Sequence, residues 1–420
     1  MALEIGIFQN GAVDLPTKLA DGLVIPDGSL ADIADSYARV QVNQVRQGVL
    51  ADRLGFDYYF MTEHHFQPEG AEFSPNPLLT ETAIAALTKR IRLAQGTNVT
   101  TQHHPVRIAE MAAMLDIILK CWTEDSFSHV GEFFSIPPSY TRWHHRQTMA
   151  YFRDRADGPD VDRVLRLAGD DAYATSSMPI SAKETTLREL QVFPKPLQKP
   201  YPQIWQPLTS SRSIRFAAQR AINGYFNASP VERLKRDIDV YYRAAEEAGW
   251  PDRLGGGEFA YGWDAKRRRG VITDRMVHIV DDGIGDLDRA GRGAEAQWDF
   301  YGAFGFSAAL TNPGETPYPL DMKVTADLLR EKRVALHGTV DQVIEGLLEV
   351  RDGAGYGDDF MVNCHFELAG FAGAEIEEQM QCFAERVVPV LARACGGRVE
   401  QPVSTVDLTS GLPEAAPAAP

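Results

Sequence analysis

The segment Thr62-Glu63-His64-His65-Phe66 sets a carboxylate and two imidazoles directly behind the apolar run Tyr58-Tyr59-Phe60-Met61. Imidazole moves protons near neutral pH, and a neighbouring carboxylate orients it or raises its pKa. The apolar run reads as a strand, and (β/α)8 enzymes keep their active sites at the C-terminal ends of strands. The plainer reading is a histidine packed under a loop and bonded to backbone. Three histidine pairs, His64-His65, His103-His104 and His144-His145, also raise the question of a metal. Adjacent residues in an extended chain point to opposite faces, so such a pair seldom gives one ion two ligands. With no H-E-x-x-H and no zinc-type Cys/His spacing, no metal is expected.

A second candidate is Gln206-Pro207-Leu208-Thr209-Ser210-Ser211-Arg212-Ser213, where a strand hands over to a helix. Unpaired N–H groups and the helix dipole suit an anion there, and barrels often bind phosphate at the end of a late strand. An ordinary N-cap would use the same residue types. Asp352-Gly353-Ala354-Gly355-Tyr356-Gly357 has the glycines of a dinucleotide loop. It follows a helix and opens a strand, the reverse of that fingerprint, so it reads as a turn. No P-loop and no G-x-S-x-G elbow occurs.

The elements that must carry these residues follow from hydrophobic periodicity. Residues 3–8, 57–62 and 91–99 read as strands, with helices at 36–54, 78–89 and 104–119 between and after them. The alternation resumes with strands at 203–206, 224–227, 275–280 and 359–366 and helices at 210–220, 231–248 and 339–351. Alternation of this kind implies parallel pairing through crossover helices. Seven strands suggest an eight-fold α/β barrel with one strand unplaced. Residues 139–200 and 283–325 break the pattern and read as two long insertions, the kind of segment that forms lids or binding loops. A single barrel domain over 1–396 is expected, followed by a disordered tail at 397–420.

The 420 residues carry a formal net charge of -16, which repels phosphate backbones and speaks against nucleic acid. The basic run at 266–269 reads as a solvated loop. Cys121, Cys364, Cys382 and Cys395 form no C-x-x-C pair, which fits a reducing compartment. Met1-Ala2-Leu3-Glu4-Ile5 does not look like a signal peptide, and no apolar stretch is long enough to span a membrane. A cytoplasmic protein is expected.

Taken in order, these segments resemble the luciferase-like monooxygenase family. The resemblance runs through Gly55-Phe56-Asp57, Thr62-Glu63-His64-His65-Phe66, Ile91-Arg92-Leu93 and His104-Pro105-Val106-Arg107-Ile108-Ala109-Glu110. It continues in Pro194-Lys195-Pro196-Leu197-Gln198-Lys199-Pro200, the Ser210 turn and His337-Gly338-Thr339. The resemblance implies a TIM-type barrel that binds reduced FMN, or F420 in some relatives, at its C-terminal face. It implies a two-component monooxygenase that takes reduced flavin from a separate flavin reductase. Reduced FMN and O2 would form a C4a-peroxyflavin that oxygenates a small organic substrate. His64 would be the acid/base, supported by Glu63 and His65. Thr97 and Asn98 match positions lining the isoalloxazine, and Ser210, Ser211 and Ser213 fall where the flavin phosphate is held. A homodimer is implied through the helices after the second and third strands.

The chain departs from the family pattern in one place. Met114-Leu115-Asp116 runs straight into Ile117-Ile118-Leu119-Lys120-Cys121-Trp122, so strand four and most of its following helix are read as missing. Flavin-dependent oxygenation is therefore the leading expectation, with an F420-dependent dehydrogenase or reductase, or a catalytically silent barrel, as the alternatives.

Overall fold

The computed structural model describes residues 3–65, 72–97, 115–131, 135–138, 142–143, 162, 166–167, 185–186, 188–191, 198–264, 266–281, 283–319 and 321–398. The described chain falls into two compact units, residues 1–98 with 204–420 and residues 99–203.

The larger unit is built on eight strands. They are β1 (Glu4–Gln9), β2 (Tyr58–Thr62), β3 (Arg92–Thr97), β4 (Trp205–Pro207), β5 (Asn223–Phe226), β6 (Val271–Ile279), β7 (Ala335–Gly338) and β8 (Met361–His365). Every pair is parallel, in the order β4-β5-β6-β8-β1-β2-β3, with β7 attached to β6 off that path. Strands β2, β5, β6 and β8 are buried along their whole length. That is why β2 reads as a continuous apolar run rather than an alternating one, while β6 buries Thr273, Asp274 and Arg275 among its apolar residues. The fold is a nearly closed parallel barrel.

The end strands of the path, β3 and β4, come into contact but share no ladder. This seam falls between the third and fourth strands in chain order. Among the described residues, 139–200 add nothing to the sheet, because Arg142–Trp143 pairs with Thr185–Thr186 in a separate antiparallel ribbon. The strand left unplaced by the sequence is β7. It is four residues long and runs at once into the capped helix at Thr339, so its own period never shows.

Aromatic side chains fill the barrel interior. Tyr58, Phe60, Tyr225, Ile272 and Met361 form one buried cluster, with Phe8 and Trp205 packed against it. Below them the Arg92 guanidinium lies 3.7 Å from the centre of the Tyr58 ring and pairs with Glu4. The described interior is therefore a packed plug.

The helices begin and end at local signals. In α1 (Leu30–Leu54), Ser29 and Asp32 form a capping box and Gly55 closes the helix at φ 81°. Thr339 and Gln342 do the same for the helix Val340–Ala354, which Gly355 closes at φ 86°, so the glycine-rich run there is a turn. Residues 283–325 are more regular than expected and hold the helix α5 (Leu287–Gly302).

Two surface expectations are corrected. Arg269 is not solvated: its guanidinium is buried and donates to Asp252 at 2.7 Å. Its desolvation is offset by that paired carboxylate and by the Ala218 carbonyl. Gly397 and Arg398 are also tied down. Gly397 accepts from the Leu3 amide at 3.2 Å, and Arg398 pairs with Asp57 at 2.7 Å. Residues 399–420, like 104–114, lie outside the described residues.

In the smaller unit, helix Leu115–Thr123 and the ribbon His129–Val130/Ser135–Ile136 share a core of Cys121, Phe127 and Ile136. Among the described residues no helix is long and apolar enough to cross a membrane.

Gly11 gives a stability test at the mouth of the barrel. Its φ is 90°, and a Cβ there would lie 2.0 Å from the Phe73 carbonyl oxygen. Gly11→Ala is expected to destabilise the fold by at least about 1–2 kcal/mol from left-handed strain alone. The midpoint of urea unfolding reads this, and an unshifted midpoint would show that the backbone is not held there.

Candidate active site at the barrel mouth

Strands β2 and β3 pair in step from Tyr58/Arg92 to Met61/Gln95, then slip by one residue so that Thr62 faces Thr97. Gly96 is the extra residue. Bulges of this kind re-aim the side chains that follow them. Glu63, His64 and His65 follow at once, at the C-terminal end of β2.

The three residues separate into two pairs. The Glu63 carboxylate is buried and accepts from His65 Nε2 at 2.9 Å. His64 turns the other way, and its Nδ1 lies 3.2 Å from Glu72 Oε2. The His64 amide also donates to the Ser74 carbonyl at 3.1 Å, which stitches the 72–74 segment beside it.

Glu72 is the pivot. Its side chain is 1% exposed, and its other oxygen accepts the Tyr301 hydroxyl hydrogen bond. Burial, and then the Glu72 charge, push the Tyr301 phenol well above its usual range, so it stays a donor. Asn10 Nδ2 and Gln297 Nε2 both donate to the same hydroxyl oxygen at 3.2 Å. A carboxylate beside Nδ1 favours the tautomer with the proton on Nδ1 and the lone pair on Nε2, on a side chain 29% exposed. Burial, and secondly His65, pull the His64 pKa down to about 4 against the pull of Glu63. The imidazole is therefore neutral near pH 7 and able to take a proton.

A second buried carboxylate sits at the ends of β1 and β8. Glu367 Oε2 accepts from the Asn10 and Gly11 amides, each at 2.9 Å. Burial raises Glu367 to about 7 in spite of those donors. His365, two residues earlier, is lowered to about 4 by burial.

The remaining sequence candidates fall elsewhere. Thr97 ends β3, and Asn98 lies outside the described residues, as does the Thr97 side chain. Ser210 is the N-cap of α3 (Ser211–Gln219) and accepts from the Ser213 amide at 3.2 Å, while Ser213 Oγ donates to the Ser210 carbonyl at 2.8 Å. Both hydroxyls thus serve the capping box. The Ser211 and Arg212 amides make no hydrogen bond among the described residues and stay exposed with the Arg212 side chain. Among the described residues no three His, Cys, Asp or Glu side chains gather as a metal site.

Sequence reasoning missed Asn10, Glu72, Tyr301 and Glu367. Asn10 and Glu367 stand one and two residues past strand ends, so the strand-end rule could have found them. Tyr301 lies in the 283–325 segment read as an insertion, and nothing local marks Glu72.

A parallel barrel whose polar groups converge at the strands' C-terminal ends is an enzyme-type barrel. The chain is luciferase-like in sequence as well: residues 32–120 match the family described as luciferase-like monooxygenase. It is 26% identical over 232 residues to the uncharacterized protein y4wF of Sinorhizobium fredii, covering 54% of this chain and 61% of that one. It is 29% identical over 177 residues to the oxygenase component of the flavin-dependent trigonelline monooxygenase of Acinetobacter baylyi, covering 41% and 45%. The chain thus spans less than two thirds of the length of either relative. Among solved structures it resembles the oxygenating constituent of 3,6-diketocamphane monooxygenase from Pseudomonas putida, in complex with FMN. That likeness has a TM-score of 0.57 at 18% identity and covers 93% of this chain and 99% of that one. At that identity it is a likeness of fold.

Proposed function

We propose that the chain is the oxygenase component of a two-component flavin monooxygenase. It would take reduced FMN from a separate reductase, use O2, and oxygenate a small organic molecule. The observation that carries this reading is the His64–Glu72–Tyr301 line at the barrel mouth. It sets a buried carboxylate beside one nitrogen of a partly exposed imidazole whose pKa burial lowers, which favours a neutral ring with its lone pair on Nε2.

The residues present fit FMN. The start of α3 offers two unbonded amides and the Arg212 guanidinium to a phosphate. Ser210, Ser211 and Ser213 would shape that end, and Thr97 and Asn98, which the sequence puts at and after the last residue of β3, would meet the ring. Bound reduced FMN would supply the electrons that O2 activation needs. His64 would accept and return a proton at Nε2, and Glu72 would keep its other nitrogen protonated. Glu63 would orient His65 beside it. The aromatic plug closes the barrel below and keeps water out from that side.

The test is an anaerobic titration of the full chain with photoreduced FMN, followed by calorimetry. Saturable micromolar-range binding, weakened by Arg212→Ala, is the expected result. No binding of reduced FMN would sink the reading. Binding of reduced F420 alone would replace it with deazaflavin chemistry, and binding of neither would leave a silent barrel.

A further inference from the structure

The antiparallel hairpin Thr17–Ala20/Leu23–Pro26 packs against α5, and together they line a pocket of about 180 Å³. The walls are mostly apolar, among them Val24, Ile25, Ala296 and Phe300. The floor is polar: Asn10, His365 and Glu367. These three side chains are almost wholly buried, and two of their atoms lack any hydrogen-bond partner, Asn10 Oδ1 and His365 Nε2. The His365 nitrogen stands 3.9 Å from Glu367, too far for a bond. Buried polar atoms with no partner are costly. Both atoms belong to side chains that line the pocket.

Size limits the occupant. A dry cavity of about 150 Å³ takes one benzene, so this pocket suits a single ring or a short branched chain. Charge limits it further. Above about pH 7, where Glu367 is ionised, a carboxylate in the ligand would be set against it, whereas an O–H or N–H would meet Asn10 Oδ1. Asn10 and Gln297 line the pocket and also donate to Tyr301, so the floor connects through Glu72 to His64.

We propose that this pocket is the organic-substrate site and that it takes a ring-sized, mainly apolar molecule carrying a hydrogen-bond donor and no carboxylate. Calling the occupant a substrate rests on the monooxygenase reading above; the pocket and its preference do not. The hairpin and α5 supply its shape, and Asn10 with Glu367 supplies its polarity.

The test is calorimetric titration of the full chain at pH 8.5 with benzyl alcohol, benzylamine and benzoate, with reduced-FMN binding measured in the same preparations. Benzyl alcohol and benzylamine are expected to saturate, and benzoate to bind at least tenfold more weakly. Ala296→Phe and Ala369→Leu each fill the pocket from a different wall. Either one that keeps the wild-type melting curve should weaken the two donors at least tenfold and leave reduced-FMN affinity alone. Benzoate binding as tightly as benzyl alcohol, or probe binding untouched by the folded variants, or no probe binding at all, overturns the proposal. Probe binding lost in the variants by a protein that never binds reduced FMN sustains the pocket and sinks the flavin reading.

Discussion

His64→Ala is expected to lower substrate-dependent oxygen uptake by at least about 100-fold, the low end of what a positioned acid/base contributes. Reduced-FMN affinity should stay within about threefold, because the phosphate end at α3 belongs to other residues. The argument rests on the Nδ1 contact to Glu72 at 3.2 Å, which leaves Nε2 as the acceptor. Glu72→Gln should then fall between wild type and His64→Ala, since an amide can accept from only one of Tyr301 and His64 while its N–H2 opposes the other. The pH profile supplies an independent check. The folded His64 is lowered to about 4, chiefly by burial. Its proton-accepting form thus persists well below pH 6.5, and the acid limb of the rate should appear near pH 4–5. The same shift has a stability consequence of fixed sign. Between about pH 6.5 and 4 the unfolded chain binds a proton that the folded His64 refuses, so acidification across that window favours unfolding. Uptake within threefold of wild type in His64→Ala would remove His64 from the chemistry.

Phe60→Ala should cost about 3–5 kcal/mol of stability, as large aromatic truncations in a closed core do. Phe60 has no exposed surface. Its ring centre lies 5.6 Å from Tyr58, 5.4 Å from Tyr225 and 6.1 Å from Trp205. Trp205 belongs to β4 and Tyr58 and Phe60 to β2, so these contacts cross the seam that hydrogen bonds leave open. Removing the ring takes away packing where no ladder can compensate. Urea unfolding of the folded variant reads the loss. A cost under about 1 kcal/mol would mean that the interior collapses onto the space and that the seam is held by other contacts.

Much of this architecture was legible from local pattern. The apolar runs at β1, β2 and β8 mark strands because both faces are buried. Thr339 with Gln342 marks a helix start because the capping box needs only residues three apart. Glu63, His64 and His65 could be assigned to a strand end for the same reason, since the strand and the residues after it are contiguous. The limits of local pattern are equally specific. β7 was hidden because four residues carry no readable period. Arg269 looked solvated within its basic run, and only packing against Asp252, 17 residues away, buries it.

What the sequence by itself determined is the alternation of strands and helices and the placing of a carboxylate and two imidazoles at a barrel strand's end. The tertiary structure alone decided which acid each imidazole meets. Glu63 takes its near neighbour His65, while His64 is held by Glu72, and Glu72 in turn by Tyr301, 229 residues further along the chain. Periodicity and capping are set by energies acting over a few residues. A buried carboxylate finds its partners only when closure of the barrel brings distant segments into one water-poor space, where an unpaired charge would be too costly to keep.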